Sequence, residues 1–373
     1  MSGALDEQIA IPEGTVVLEK YQVEKLIGAG ELCRVFKAVH TSVGSHVAIK
    51  FLLPHQLMSE STVRRFVKEA KVASRIASEH SARIFDTGSS HPYGPYIVME
   101  FIEGGDVATR LEQNGPLSIH EAIDVTVQVA LALAEAHASG VVHYGIKPNN
   151  FLIARAGEHD IIKVVDFGLA KVPEHPSLAS GLYWPPERLR PGGDAVDHRA
   201  DIYSLSVTLY TLLTGQHPFN AETLEDLPGA INDGAATPIR KHRADLSADL
   251  ALAIEVGFAK RPDDRYQTVG ELAASLAPWA SARTLIAIES LARREMRRSI
   301  GSLPRNRDPN SPPQSLRSLS ARPPAMASPP AEGLRPVTVS PDGEAGGGSV
   351  MMIVAVVLVV LLAGGVVWAL FLP

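Results

Sequence analysis

Between His143 and Asn150 the chain reads His143-Tyr144-Gly145-Ile146-Lys147-Pro148-Asn149-Asn150, and sixteen residues further on comes Asp166-Phe167-Gly168. Charged and amide side chains surround one empty position. Gly145 has no side chain, so it can neither take a proton nor orient a nucleophile. Upstream, Gly28 and Gly30 sit in Leu26-Ile27-Gly28-Ala29-Gly30-Glu31-Leu32-Cys33-Arg34-Val35. Glycines so placed let a hairpin backbone close over phosphates without interference from Cβ, although a plain β-turn is the ordinary alternative. Val47-Ala48-Ile49-Lys50 follows at strand alternation. A lysine on a strand is, taken alone, a solvated edge charge.

The elements that must position these groups are legible from periodicity. Arg64 to Ile76 has helical spacing and carries Glu69, nineteen residues after Lys50. Tyr96 to Gly105 looks like a strand running into a connecting segment, and Ala122 to Ser139 reads as a helix leading to His143. The apolar run Ile161 to Val165 leads directly into Asp166.

Taken in order, these motifs resemble the protein kinases, in the bacterial (Hanks-type) serine/threonine class. The resemblance runs from Tyr21 to Pro278. It implies an α+β, two-lobed fold: a small antiparallel β-sheet lobe with one helix, and a large, mostly helical lobe. Gly28, Gly30 and Val35 match the glycine-rich loop G-x-G-x-x-G-x-V, with Cys33 at the third glycine, and Val47 to Lys50 match V-A-I-K literally. The resemblance then implies ATP and Mg²⁺ as cofactors. Ala48 would lie beside the nucleotide, and Lys50 would contact the α- and β-phosphates, held by Glu69. Met99 would guard the back of the adenine pocket, and Glu100 and Ile102 would offer backbone groups to the adenine edge. Asn150 and Asp166 would bind metal. Pro185-Pro186-Glu187 resembles A-P-E, with Arg265 as the ion-pair partner of its acid. Asp201 matches the helix residue that holds the catalytic-loop backbone, with Ser206 in place of the usual glycine.

The departures concern chemistry. In the family the catalytic loop reads H-R-D-L-K-P-x-N, and the Asp accepts the proton of the substrate hydroxyl. Here that position is Gly145, although Lys147 is retained. The main expectation is a pseudokinase that binds ATP and acts as a scaffold or allosteric regulator. The alternative is a slow serine/threonine kinase, because phosphoryl transfer depends mainly on positioning and charge neutralisation. Tyr144 replaces the arginine that, in many kinases, binds a phosphorylated activation loop, so regulation of that kind is not expected. Cys33 is expected to be a tolerated small residue; a thiol beside Lys50 with a lowered pKa is the other reading.

The rest of the chain bounds the setting. A net charge of −6 on an ordinary composition does not suggest nucleic-acid binding, and a single cysteine excludes a disulfide framework. Residues 1–20 are expected as an N-terminal extension without a secretory signal, and 21–278 as the kinase-like domain. Residues 279–302 form a basic helical extension, with a solvated end or a contact with anionic lipid as the two readings of Arg293, Arg294, Arg297 and Arg298. Residues 303–349, rich in Pro, Ser and Gly, are expected to be a disordered linker. Val350 to Leu372 holds no charge. As a helix it spans roughly 34 Å, enough for a hydrocarbon core, so a transmembrane anchor is expected, with the kinase-like domain on the cytoplasmic side. Protein partners are not legible.

Overall fold

Alternating burial writes the first part of the chain as strands. The computed structural model describes residues 11–30, 32–53, 60–89, 92–156, 159–168, 177–190 and 196–301. Its first sheet is antiparallel, in the order β1-β2-β3-β4-β6-β5. The strands are β1 (Val16–Val17), β2 (Tyr21–Ala29), β3 (Cys33–His40), β4 (His46–Leu52), β5 (Ile84–Gly88) and β6 (Tyr96–Glu100). β1 lies within the expected N-terminal extension and pairs with β2 through Val17 and Tyr21.

One face of the sheet packs Val23, Phe36, Ile49, Phe51 and Val98 together. The other packs Cys33, Leu52 and Ile97 against Phe66 and Ala70 of helix α1 (Glu60–Ala73). β4 is central, so both its faces are covered: Val47, Ala48, Ile49, Phe51 and Leu52 are all buried. Lys50 is the one charged side chain in that run. The register Val35–Lys50–Ile97 puts it on the α1 face.

The larger lobe is helical. After α2 (Val107–Asn114) comes α3 (Ile119–Ala138), which starts at a capping box between Ser118 and Glu121. Two short strands, β7 (Phe151–Ala156) and β8 (His159–Val164), pair antiparallel and lead into Asp166. The remaining helices are α4 (Leu178–Gly181), α5 (Pro186–Leu189), α6 (Arg199–Thr214), α7 (Leu227–Asn232), α8 (Ala248–Gly257), α9 (Val269–Ser275) and α10 (Ala282–Gly301).

α6 is buried on every side, from Ala200 to Thr214. Its Ser and Thr hydroxyls are satisfied by carbonyls one turn back: Ser206 bonds Ile202 O at 2.9 Å and Thr208 bonds Ser204 O at 2.7 Å. The serine at the usual glycine position fits because its neighbour on α8 is Gly257, where an added Cβ would come within 2.0 Å of Ser206 Oγ. Glu187 and Arg265 form the expected ion pair, bidentate at 2.8 and 2.7 Å and fully buried.

α10 occupies the expected basic extension and docks on the large lobe. Thr284, Ile288 and Leu291 are buried. Glu295 accepts from Thr268 Oγ1 at 2.8 Å and from Gly270 N at 3.2 Å at the start of α9. Arg294 and Arg298 pair with Glu135 of α3 at 3.2 and 2.7 Å. Half of the basic cluster read as a solvated or lipid-facing end is therefore turned onto the protein. The expected linker and membrane helix, 303–349 and 350–372, lie outside the described residues. Among those described, no helix is long and apolar enough to cross a membrane.

Candidate active-site cleft

β3 and β4 place the roof of a cleft, and the loop after α3 its floor. Gly28, Gly30, Val35 and Lys50 line it from above; Gly145, Lys147, Asn150 and Asp166 from below. Its volume is about 780 Å³, in the range of clefts that hold small ligands.

Lys50 Nζ bonds Asp166 Oδ1 at 2.7 Å, with both side chains largely buried. Burial opposes both charges, but their mutual attraction and hydrogen bond outweigh it. The lysine is held above its ordinary pKa and the aspartate below its own. The Lys50–Glu69 pair implied by the family resemblance is absent. The single ammonium is taken by Asp166, and Glu69 lies instead against Gly168, where an added Cβ would come within 2.7 Å of its Oε2. Gly168 therefore does two things: it adopts φ +74° and makes room for that carboxylate.

The floor is pinned from α6. Asp201, fully buried, accepts from His143 N at 2.8 Å, Tyr144 N at 2.9 Å and His137 Nε2 at 2.8 Å. His143 has no exposed surface. Its Nδ1 accepts from Gly145 N at 3.1 Å, so Nε2 carries the proton donated to Val165 O at 2.9 Å. Burial, the largest cause, keeps this imidazole below its ordinary pKa and neutral. Two non-glycine residues here have left-handed backbones, Tyr144 at φ +63° and Asp166 at φ +69°. Such strain persists only where the surroundings over-determine it, and it concentrates at functional sites.

At Gly145 itself only backbone is available. Its carbonyl accepts from Asn150 Nδ2 at 2.7 Å. Lys147 reaches Ser180 Oγ at 2.7 Å, and Ser180 is bonded in turn by Ser177. Arg188 donates to Tyr144 O and stacks at 3.9 Å over the Trp184 ring. Burial, its largest influence, brings its pKa down to about 10. Sequence reading missed Arg188, Trp184 and the Lys147–Ser180 contact. The signal was present in the residues flanking Pro185-Pro186-Glu187, but nothing local shows that they face the loop at Gly145.

The other expected positions are placed as follows. Ala48 is buried in β4, and Met99 lines a small cavity behind Lys50 and Asp166. Glu100 ends β6, and Ile102 follows in the connection to α2. The Glu100 N–H bonds Arg83 O at 2.8 Å, so its N–H is not the group it can offer a ligand. Cys33 corrects the alternative of an activated thiol. It is buried on the sheet face, and that burial pushes its pKa up to about 12 despite nearby Lys50.

A model of the protein kinase domain matches residues 21–272, and the chain belongs to that family. A probable serine/threonine-protein kinase of Clostridium acetobutylicum is 35% identical over 266 residues, 69% of this chain and 40% of that protein. Serine/threonine-protein kinase pkn3 of Myxococcus xanthus is 34% identical over 68% of this chain and 48% of its own length. The chain thus spans less than half the length of these curated relatives. In three dimensions it is similar to the PknI kinase domain of Mycobacterium tuberculosis, with TM-score 0.60 and 27% identity over 73% of this chain and 100% of that one.

Membership of the family implies ATP and Mg²⁺. The residues present fit both. Asp166 offers a carboxylate and Asn150 an amide oxygen, and Mg²⁺ takes one or two such ligands together with phosphate oxygens. Among the described residues no group of three or more His, Cys, Asp or Glu could hold a metal without such a partner.

Proposed function

We propose that this chain is a signalling protein kinase that binds Mg–ATP and transfers phosphate to Ser or Thr of proteins slowly, without a side-chain base. The observation that carries the reading is the convergence of Lys50, Asp166, Asn150 and Lys147 on one cleft. The names of the relatives support serine/threonine as the acceptor class. Bound Mg²⁺ would supply neutralisation of charge on the phosphate oxygens. Lys50, drawn from Asp166, would hold the phosphates, and Lys147 and Ser180 would bound the acceptor end. No side chain at position 145 takes the acceptor's proton, which would pass to solvent water as the new O–P bond forms and ADP leaves. General acid–base groups contribute about 10²- to 10⁴-fold, and transfer should be slower by that order.

One observation favours a second reading: Gly145 itself. A nucleotide-binding scaffold or allosteric regulator needs the same phosphate and metal ligands and no base. Labelled ATP and Mg²⁺ with the wild-type protein, Gly145→Asp and Lys50→Ala separate the two. Slow transfer by wild type that Lys50→Ala abolishes and Gly145→Asp raises about 10²- to 10⁴-fold supports the kinase. Wild type indistinguishable from Lys50→Ala leaves the scaffold.

We place the protein at a membrane through Val350 to Leu372, with the kinase domain on the cytoplasmic side. The support is the uncharged length of that segment and the arginines preceding it, Arg322 and Arg335 nearest.

A further inference from the structure

The inner face of α10 is committed to the large lobe through Thr284, Ile288, Leu291 and Glu295. Its outer face has a different composition. Leu285, Glu289 and Met296 follow one line of the helix, and Ile286, Arg293 and Arg297 the adjacent one. Ile286 is 67% and Met296 60% exposed, large apolar side chains held in water on the side of the helix opposite its buried Thr284, Ile288 and Leu291. The single carboxylate, Glu289, is bonded to Arg293 at 3.2 Å. Glu135 draws Arg294 and Arg298 inward, so Arg293 and Arg297 are the cations among the exposed apolar groups.

We propose that this outer face of α10 docks on an anionic lipid surface. Apolar side chains interleaved with arginines, on a helix whose other face is already satisfied, form the surface that settles at a headgroup boundary. The cations attract anionic lipid, while Ile286 and Met296 gain by leaving water. The proposal rests on the membrane placement of Val350 to Leu372. Residues 302–349 separate the two and cannot extend beyond about 170 Å, so α10 meets the bilayer at an effective concentration fixed by that length. Docking would set one orientation of the cleft relative to the membrane.

The full-length protein carrying Met296→Cys, labelled there with an environment-sensitive fluorophore, tests this, since Cys33 is buried from reagent. It is added to vesicles of phosphatidylcholine alone and to vesicles that also contain phosphatidylglycerol. The expected result is a blue shift with the anionic vesicles only. High salt should reverse it, and adding Arg293→Glu and Arg297→Glu should remove it without lowering the melting temperature. Flotation with the neutral vesicles reports the apolar segment separately. The same emission in neutral and anionic vesicles overturns the docking, whether or not the chain floats.

Discussion

Lys50 sits in a strand covered on both faces, where an isolated ammonium would be costly. Its tolerance depends on Asp166, which comes from the far side of the cleft. Asp166→Asn suits a test, because Asn tolerates the left-handed backbone that Asp166 adopts at φ +69°. A fully buried pair broken at one partner costs about 3–5 kcal/mol; with the Asp166 side chain 25% exposed, about 1–3 kcal/mol is expected. The pH dependence follows from the directions of the shifts. The folded-state pKa of Asp166 lies below its unfolded value, so its contribution is present above about pH 4 and lost as the pH falls further. That of Lys50 is raised, so its contribution persists to about pH 10 and fades above. Urea unfolding of wild type and Asp166→Asn should show a constant difference between those limits that narrows at both ends. A difference that vanished between pH 5 and 7 would exclude this pair as the source.

At the scale of the element, α6 shows how a buried helix satisfies its Ser and Thr hydroxyls, and how one substitution depends on another. Ser206 is accommodated by Gly257 of α8. Gly257→Ala should therefore destabilise the domain by about 1–3 kcal/mol through overpacking. Ser206→Gly alone should be mild, and Gly257→Ala with Ser206→Gly should recover most of the loss. Chemical denaturation of the four proteins gives a double-mutant cycle, and additivity in it would show that the two positions are not in contact.

For the whole molecule, the cleft and the proposed membrane segment give separate predictions. Mg–ATP binding to the folded state should raise the melting temperature, with about 2.7 kcal/mol of stabilisation at a hundredfold excess over Kd. The rise should require the metal and shrink in Asn150→Ala. No shift at saturating nucleotide would remove nucleotide binding from both readings of the function. Truncation after Ser349 should move the protein from the membrane to the soluble fraction, because it removes about twenty apolar residues. Pelleting that survived truncation and yielded to salt would assign the membrane contact to α10 instead.

By itself the sequence determined the fold class and the order of the motifs. Strand alternation names β4 at Val47 to Lys50, helical spacing names α1 and α3, and Gly145 lacks a side chain in any conformation. The family resemblance also implied Asp201 beneath the catalytic loop and the Glu187–Arg265 pair, and the structure has both. What it left undecided were choices among distant partners. The resemblance implied Glu69 as the partner of Lys50, whereas the assembled fold sets Glu69 against Gly168 and gives the ammonium to Asp166. The arginines of α10 read as one basic run until the helix phase set Arg294 and Arg298 on Glu135 and left Arg293 and Arg297 outward. Cys33 was expected as a tolerated small residue, and burial on the sheet face, which raises its pKa, removes the alternative of an activated thiol. Each outcome depends on which surfaces exclude water, and that is a property of the assembled fold rather than of neighbouring residues in the chain.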